Sequence, residues 1–367
     1  MDISIIQSVL NVFTQYGESI RLDIEKFENA LNDEAPQLLD ECYLVVQGIK
    51  LDLLDVMIFD EDLDDRSYVD FLTKERQFRE EEALFMVGVF KAIVQQMGYY
   101  FEIPQLEAYL QNAYQRDDYR QLLIFARAYF EGFGIQQDYA KAFEIYHYLY
   151  QQGIEQSAYY LGYMYEYGLG IEQDIQKALD YYHQSHEGKT YYHLGMMYLL
   201  GQHVDSDKAK AFDYFDQSHE PLAYYYQGLL CEERRDWSLA FEKYFEGAKL
   251  FQVECLYKVA MFLRRGLGVD LNLIEAKKYF QYAYYLLHGN SAYELSMMYF
   301  DGISVEKDEK KAMRYLTQAA SLNSIPANQT LAHFYELGMH VKKNYSKAIE
   351  YMQRAQELEK EENHESL

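Results

Sequence analysis

Cysteine, positive charge and long apolar runs are all scarce in this sequence, and each shortage excludes something. The 367 residues include 3 cysteines, Cys42, Cys231 and Cys255. Odd in number and without a CxxC pair, they supply neither a disulfide framework nor a cysteine zinc site, and they suit a reducing compartment. Lys and Arg number 34 against 59 acidic residues, a formal charge of −25. The clustered cations that grip a phosphate backbone are missing, so nucleic acid is not an expected partner. No stretch of about 18 apolar residues occurs, which argues against a membrane-spanning helix. The opening Met1-Asp2-Ile3-Ser4-Ile5-Ile6-Gln7 has no basic region leading into an apolar one, so no secretory leader is expected. A soluble cytoplasmic protein is the expectation. Disorder is excluded in turn by a hydrophobic content of 49%, and the length allows two or three domains.

What is abundant is tyrosine, and it is unevenly placed: 7 of the 39 lie in residues 1–118 and 32 in residues 119–367. The first stretch has 25 acidic and 9 basic residues, net −16, and the remainder is net −9. A boundary near residue 118 follows. Beyond it an alanine recurs at Ala142, Ala178, Ala211, Ala240, Ala276, Ala312 and Ala348, with spacings of 36, 33, 29, 36, 36 and 36. A second column of small residues runs Ala126, Gly162, Gly195, Gly228, Ala260, Ser296 and Ala332, in six cases 16 residues ahead of the first. Six places after each small residue stands a glycine, at Gly132, Gly168, Gly201, Gly266, Gly302 and Gly338, broken only by Arg234. A helix end that turns left-handed requires such a residue. Four places before each alanine stands Asp138, Asp174, Asp207, Asp236, Asn272, Asp308 or Asn344, side chains suited to capping a helix N-terminus. Each unit therefore reads as helix, glycine turn, capped helix, with aromatic residues three or four places after each alanine filling the space between neighbours.

This pattern resembles the Sel1-like repeats, relatives of the tetratricopeptide repeats. The residues that carry it run from Tyr159 through Leu161-Gly162-Tyr163-Met164-Tyr165-Glu166-Tyr167-Gly168 to Asp174, then Lys177-Ala178-Leu179-Asp180-Tyr181-Tyr182. The resemblance implies an all-α fold: a right-handed α-solenoid of seven helix pairs over residues 119–360, followed by a polar tail, 361–367. The fourth unit, around Cys231 to Ala240, has the shorter tetratricopeptide-like spacing. Secreted members of the family often bridge each helix pair with cysteines, and their absence here supports the cytoplasmic expectation. Residues 1–118 read as a separate acidic helical domain, with helices expected near 3–16, 20–31, 36–47, 50–58, 67–78, 80–97 and 104–115. They resemble a helical module placed ahead of other domains in bacterial multidomain proteins.

Chemical motifs were sought along the chain. Asp60, Asp62 and Asp64 match the first ligands of an EF-hand loop, but Asp65 stands where a turn glycine belongs and Phe71 where the bidentate glutamate belongs. His183 and His186 share one helix face, yet His186 and His219 recur because the repeat does, and the zincin motif is absent. Gly132-Phe133-Gly134, Gly168-Leu169-Gly170 and Gly266-Leu267-Gly268 end helices rather than follow strands, so they read as turns and not as a dinucleotide loop. No cofactor, metal or catalytic set is expected.

The expected function is interaction. In tetratricopeptide-like solenoids the first helix of each pair lines the concave face. Three places before the small column it carries Tyr159, Tyr192, Tyr225, Tyr257 and Tyr293, a stripe suited either to a binding surface or to packing between repeats. Arg264 and Arg265 follow the small column in the fifth unit, after Glu232 and Glu233 in the fourth. They read either as members of an ion-pair network that fixes repeat stacking or as isolated cations for an acidic peptide. A cytoplasmic scaffold or adaptor with a protein or peptide in its groove is the leading expectation. The alternative is a regulatory ligand sensor or enzyme with its site between the N-terminal domain and the solenoid. The acidic domain is expected to meet a basic partner surface, and the polar run Glu357–Glu362 is expected to close the array against end-to-end association.

Overall fold

The computed structural model describes residues 5–16, 24–35, 38–50, 69–76, 78–80, 82–87, 106–132 and 137–365. Regular structure among them is helical throughout, without a strand. The chain groups into two compact units, Gly98–Leu230 and Met1–Met97 with Cys231–Leu367.

The N-terminal helices are α1 (Ile5–Tyr16), α2 (Ile24–Glu34) and α3 (Leu39–Lys50). α1 packs on α2 and α2 on α3, burying Ile5, Val9, Phe27, Leu31 and Val45. Within the helix expected over 67–78, residues 69–70 are α-helical and Phe71–Glu75 form a π-helical turn. There the Thr73 hydroxyl donates to the Val69 carbonyl at 2.8 Å, a side-chain competitor for the backbone ladder. Residues 82–87 are helical, and the helix expected at 50–58 lies outside the described residues. Within this unit the Tyr282 hydroxyl donates to Glu80 at 2.7 Å, which ties the N-terminal segment to the fifth helix pair.

The sequence repeat is a structural repeat. After α4 (Leu106–Gln115) come α5 (Tyr119–Glu131) and α6 (Tyr139–Gln151), α7 (Gln156–Tyr167) and α8 (Ile175–Gln184), α9 (Gly188–Leu200) and α10 (Lys208–Ser218). Then follow α11 (Pro221–Glu233) and α12 (Trp237–Lys249), α13 (Val253–Arg265) and α14 (Leu273–Tyr285), α15 (Gly289–Asp301) and α16 (Glu309–Ser321), α17 (Ile325–Leu337) and α18 (Tyr345–Glu365). We call the two members of each pair the A and B helix. This is the α-solenoid expected from the sequence.

Its local causes are the columns. All seven Asp and Asn side chains cap their B helix, accepting from the backbone N–H three residues on at 3.0–3.2 Å. The six glycines end their A helices at φ between 66° and 78°, and in the fourth pair Arg235 takes the left-handed conformation instead, at φ 60°. The small column is needed for close approach. A Cβ on Gly162 would stand 2.6 Å from the Tyr182 ring, and one on Gly195 2.6 Å from the Phe215 ring. The lysine preceding several of the phased alanines also has a packing role. Lys141, Lys177, Lys210, Lys311 and Lys347 lie over Tyr129, Tyr165, Tyr198, Tyr299 and Tyr335 of their own A helices at 4.6–5.3 Å.

Candidate functional site

The five tyrosines three places ahead of the small column sit on A helices α7, α9, α11, α13 and α15, and all five are half-buried. Tyr159, Tyr192 and Tyr225 belong to one compact unit, and Tyr257 and Tyr293 to the other. Three of the rings lean on an aromatic of their own B helix: Tyr159 on Tyr182 at 6.2 Å, Tyr192 on Phe215 at 5.9 Å and Tyr257 on Phe280 at 6.0 Å. Tyr225 meets Tyr226 edge-on at 5.6 Å. Three of the five thus pack A helix on B helix, and all five leave part of the side chain accessible. Burial, together with neighbouring tyrosines, raises the hydroxyls of Tyr159 and Tyr192 far above their ordinary value. Burial raises Tyr257 as well, against the pull of Arg265 and Arg264. These three remain neutral hydrogen-bonding groups at physiological pH. Lys189 lies over the rings of Tyr159 and Tyr160, at 5.2 and 4.6 Å.

Arg264 is one half of an ion pair between repeats, the first of the two readings its sequence context allows, and its partner is Glu294 rather than Glu232. Its guanidinium donates to the Glu294 carboxylate in the next A helix. The register behind this pair was not legible from the columns taken singly. The residue four places after a small one faces the residue two places before the next small one, rather than its own counterpart in the next repeat. Glu232 accordingly meets Lys258 at 2.8 Å instead of Arg264, and Glu166 meets His193 at 2.6 Å. Arg265, one place on, is exposed.

Glu166 is the most demanding of these positions, because its side chain is fully buried. One carboxylate oxygen accepts from the Tyr182 hydroxyl at 2.6 Å and lies 2.6 Å from His193 Nε2; the other has His203 Nε2 at 3.7 Å. Burial pushes the Glu166 carboxyl up, but the bonds from His193 and Tyr182 and the charge of His193 outweigh it and hold the group below its ordinary value. A buried carboxylate held this way is an interior strut between two repeats. Sequence reasoning passed over it, and the only available signal was the paired register just described.

The remaining candidates separate. His183 Nδ1 lies 2.7 Å from the Leu179 carbonyl while His186 faces Glu155 at 3.9 Å. Among the described residues no group of three or more His, Cys, Asp or Glu is placed to hold a metal ion. Asp60, Asp62, Asp64 and Asp65 lie outside the described residues. Cys42, Cys231 and Cys255 are buried free thiols, with burial the main cause raising Cys231 and Cys255 above the ordinary value. No described helix is long and apolar enough to cross a membrane.

The family model described as Sel1 repeat matches residues 125–154, 155–185, 189–218, 253–286, 289–324 and 327–358. The helix pair it passes over is the fourth, where the spacing is short and Arg234 replaces the glycine. A crystal structure of a protective antigen present in uropathogenic Escherichia coli strains, displaying an SLR fold, superposes with a TM-score of 0.60 at 19% identity over 79% of this chain. The chain spans 64% of that protein's length. A Sel1 repeat protein from Oxalobacter formigenes superposes with a TM-score of 0.55 at 20% identity, covering 59% of this chain and 95% of the other. At these identities the likeness speaks for the fold. No curated protein matches the chain.

Proposed function

The chain belongs to the Sel1 repeat family, and from that membership we propose that it is a cytoplasmic scaffold or adaptor holding a protein or peptide segment against the tyrosine-bearing faces of its A helices. Proteins built of Sel1 repeats generally mediate protein–protein interaction. The observation that carries the finer reading is the state of Tyr159, Tyr192, Tyr225, Tyr257 and Tyr293, all half-buried at one register position. A ring already fixed by packing offers contact area and a hydroxyl with little side-chain entropy left to lose. Arg265, exposed beside Tyr257, adds a cation for a partner carboxylate. Arg264 is committed to Glu294 and contributes by fixing the α13–α15 junction. The three free thiols support a reducing compartment. Residues 1–118, at net −16, offer a second, acidic contact to a basic partner surface. Association through it slows as salt rises; an on-rate independent of ionic strength would remove this part of the proposal.

The test exchanges all five tyrosines for phenylalanine, which keeps the rings that pack the helices and deletes the hydroxyls. Affinity capture from the native cell should lose its specific partners while the melting temperature stays within a few degrees. Capture unchanged from the wild type would assign the column to packing alone.

A further inference from the structure

α18 carries an apolar face that stands open. Tyr345, Ile349 and Met352 fall at i, i+4 and i+7, on one side of the helix, and are 60%, 58% and 41% exposed. Leu337 and Met339, at the end of α17 and in the turn beyond it, are also exposed, at 53% and 43%. The Met352 position recurs six times along the chain, and there it is covered. Met352 stands four places after Ala348, and its counterparts Tyr146, Tyr182, Phe215, Tyr244, Phe280 and Leu316 are all at 0%.

The cover comes from the next A helix, through the residue two places before its small position. Tyr160 stacks on Tyr146 at 4.4 Å, His193 lies against Tyr182 at 5.0 Å, Tyr226 stacks on Phe215 at 5.6 Å and the Lys258 ammonium lies 5.4 Å over Tyr244. That position also answers charge. Where the outgoing A helix is acidic the incoming residue is basic, as in Glu166 with His193 and Glu232 with Lys258; where it is Arg264 the incoming residue is Glu294. In the seventh pair the outgoing residue is Glu336, which is exposed. The polar run Glu357–Glu362 lies further along α18.

We propose that the α17–α18 face is a docking surface for an amphipathic helix of a partner protein. The helix carries Lys, Arg or His two residues before Gly, Ala or Ser, sets its apolar side on Tyr345, Ile349 and Met352, and brings its cation to Glu336. Both features of the occupant are read from how this chain covers the same socket upstream. A second copy is not the favoured occupant, because its own helices of this pattern, with His193 and Lys258, are already engaged in their repeats. This surface is separate from the tyrosine faces, so the two proposals stand or fall independently.

The probe is a fluorescent synthetic peptide with the sequence of residues 253–265, which contains Lys258-Val259-Ala260, titrated with the full chain and read by anisotropy. Saturable binding is expected, weakened about tenfold or more by Lys258→Glu in the peptide and by Ile349→Asp in the protein. Glu336→Lys in the protein should reverse the preference between the two peptides. Both protein substitutions are at exposed positions, so the melting temperature should hold, and Tyr345→Glu provides a second disruption should Ile349→Asp lower it. Equal binding of the two peptides, binding undiminished by both disruptions, or no binding at all would overturn the proposal. Concentration-dependent dimerisation in sedimentation, abolished by Ile349→Asp, would also overturn it and give the face to a second copy.

Discussion

At the scale of the residue, His288 couples folding to pH. Its ring caps α15, with Nδ1 accepting from the Ser291 N–H at 3.1 Å, which a protonated Nδ1 cannot do. Burial lowers the group to about 4, opposed by the charge of Glu254. The unfolded chain therefore takes up a proton that the folded one refuses. Stability is complete above about pH 6.5 and declines as the pH falls towards 4, by up to about 3 kcal/mol. Denaturant unfolding between pH 7.5 and 4.5 should show this fall, and His288→Asn, which keeps a capping side chain, should flatten it. The depressed carboxyl of Glu166 acts in a lower window. It supports folding above the ordinary carboxyl range and loses that support only below about pH 4.5. The neighbours Arg264 and Arg265 should differ in the same measurements. Arg264→Ala leaves Glu294, only 13% exposed, without its cation and should cost roughly 1–3 kcal/mol. Arg265→Ala should stay within about 0.5 kcal/mol. Equal losses for the two would contradict the pairing. The sequence offered the ion-pair role of Arg264 as one of two readings and gave no sign of the roles of His288 and Glu166. The partners of Glu166 and Arg264 arrive from a different repeat, and a column of identical phase does not reveal the offset between the facing positions.

At the scale of the element, much more could be read in advance. Caps and left-handed ends are set by single residues with unusual chemistry acting within their own turn. Asp138 through Asn344 and the six glycines therefore mark their helix ends without help from the rest of the fold. Asp174→Ala should cost about 1 kcal/mol by removing the bond to Lys177 N. Gly195→Ala should cost roughly 1–3 kcal/mol, because a Cβ would press on the Phe215 ring, which is fully buried and has no room to give. Thermal melts of the two variants test this order, and a neutral Gly195→Ala would contradict the close approach of A and B helices. Legibility ends in the N-terminal segment, which has no repeat to average over. There a π-helical turn at Phe71–Glu75 stands within the expected α-helix, with the Thr73 hydroxyl on the Val69 carbonyl.

At the scale of the whole molecule, the repeat count followed from phase, since seven copies at nearly constant spacing leave few alternatives, and the family from the resemblance its motif residues carry. Which surface the solenoid presents to a partner did not, because packing and binding both favour tyrosine at the same position. Covalent capture separates the two. A photoreactive phenylalanine analogue placed at Tyr225 or at Tyr293, one in each compact unit, would report directly what touches that column in the native cell. The same analogue at exposed B-helix positions Gln217 and Glu350 serves as the comparison. Discrete cross-links to another protein from Tyr225 and Tyr293, absent from Gln217 and Glu350, are the predicted result. Cross-links from the B-helix positions alone, or none from either tyrosine, would contradict an interaction surface on the A helices.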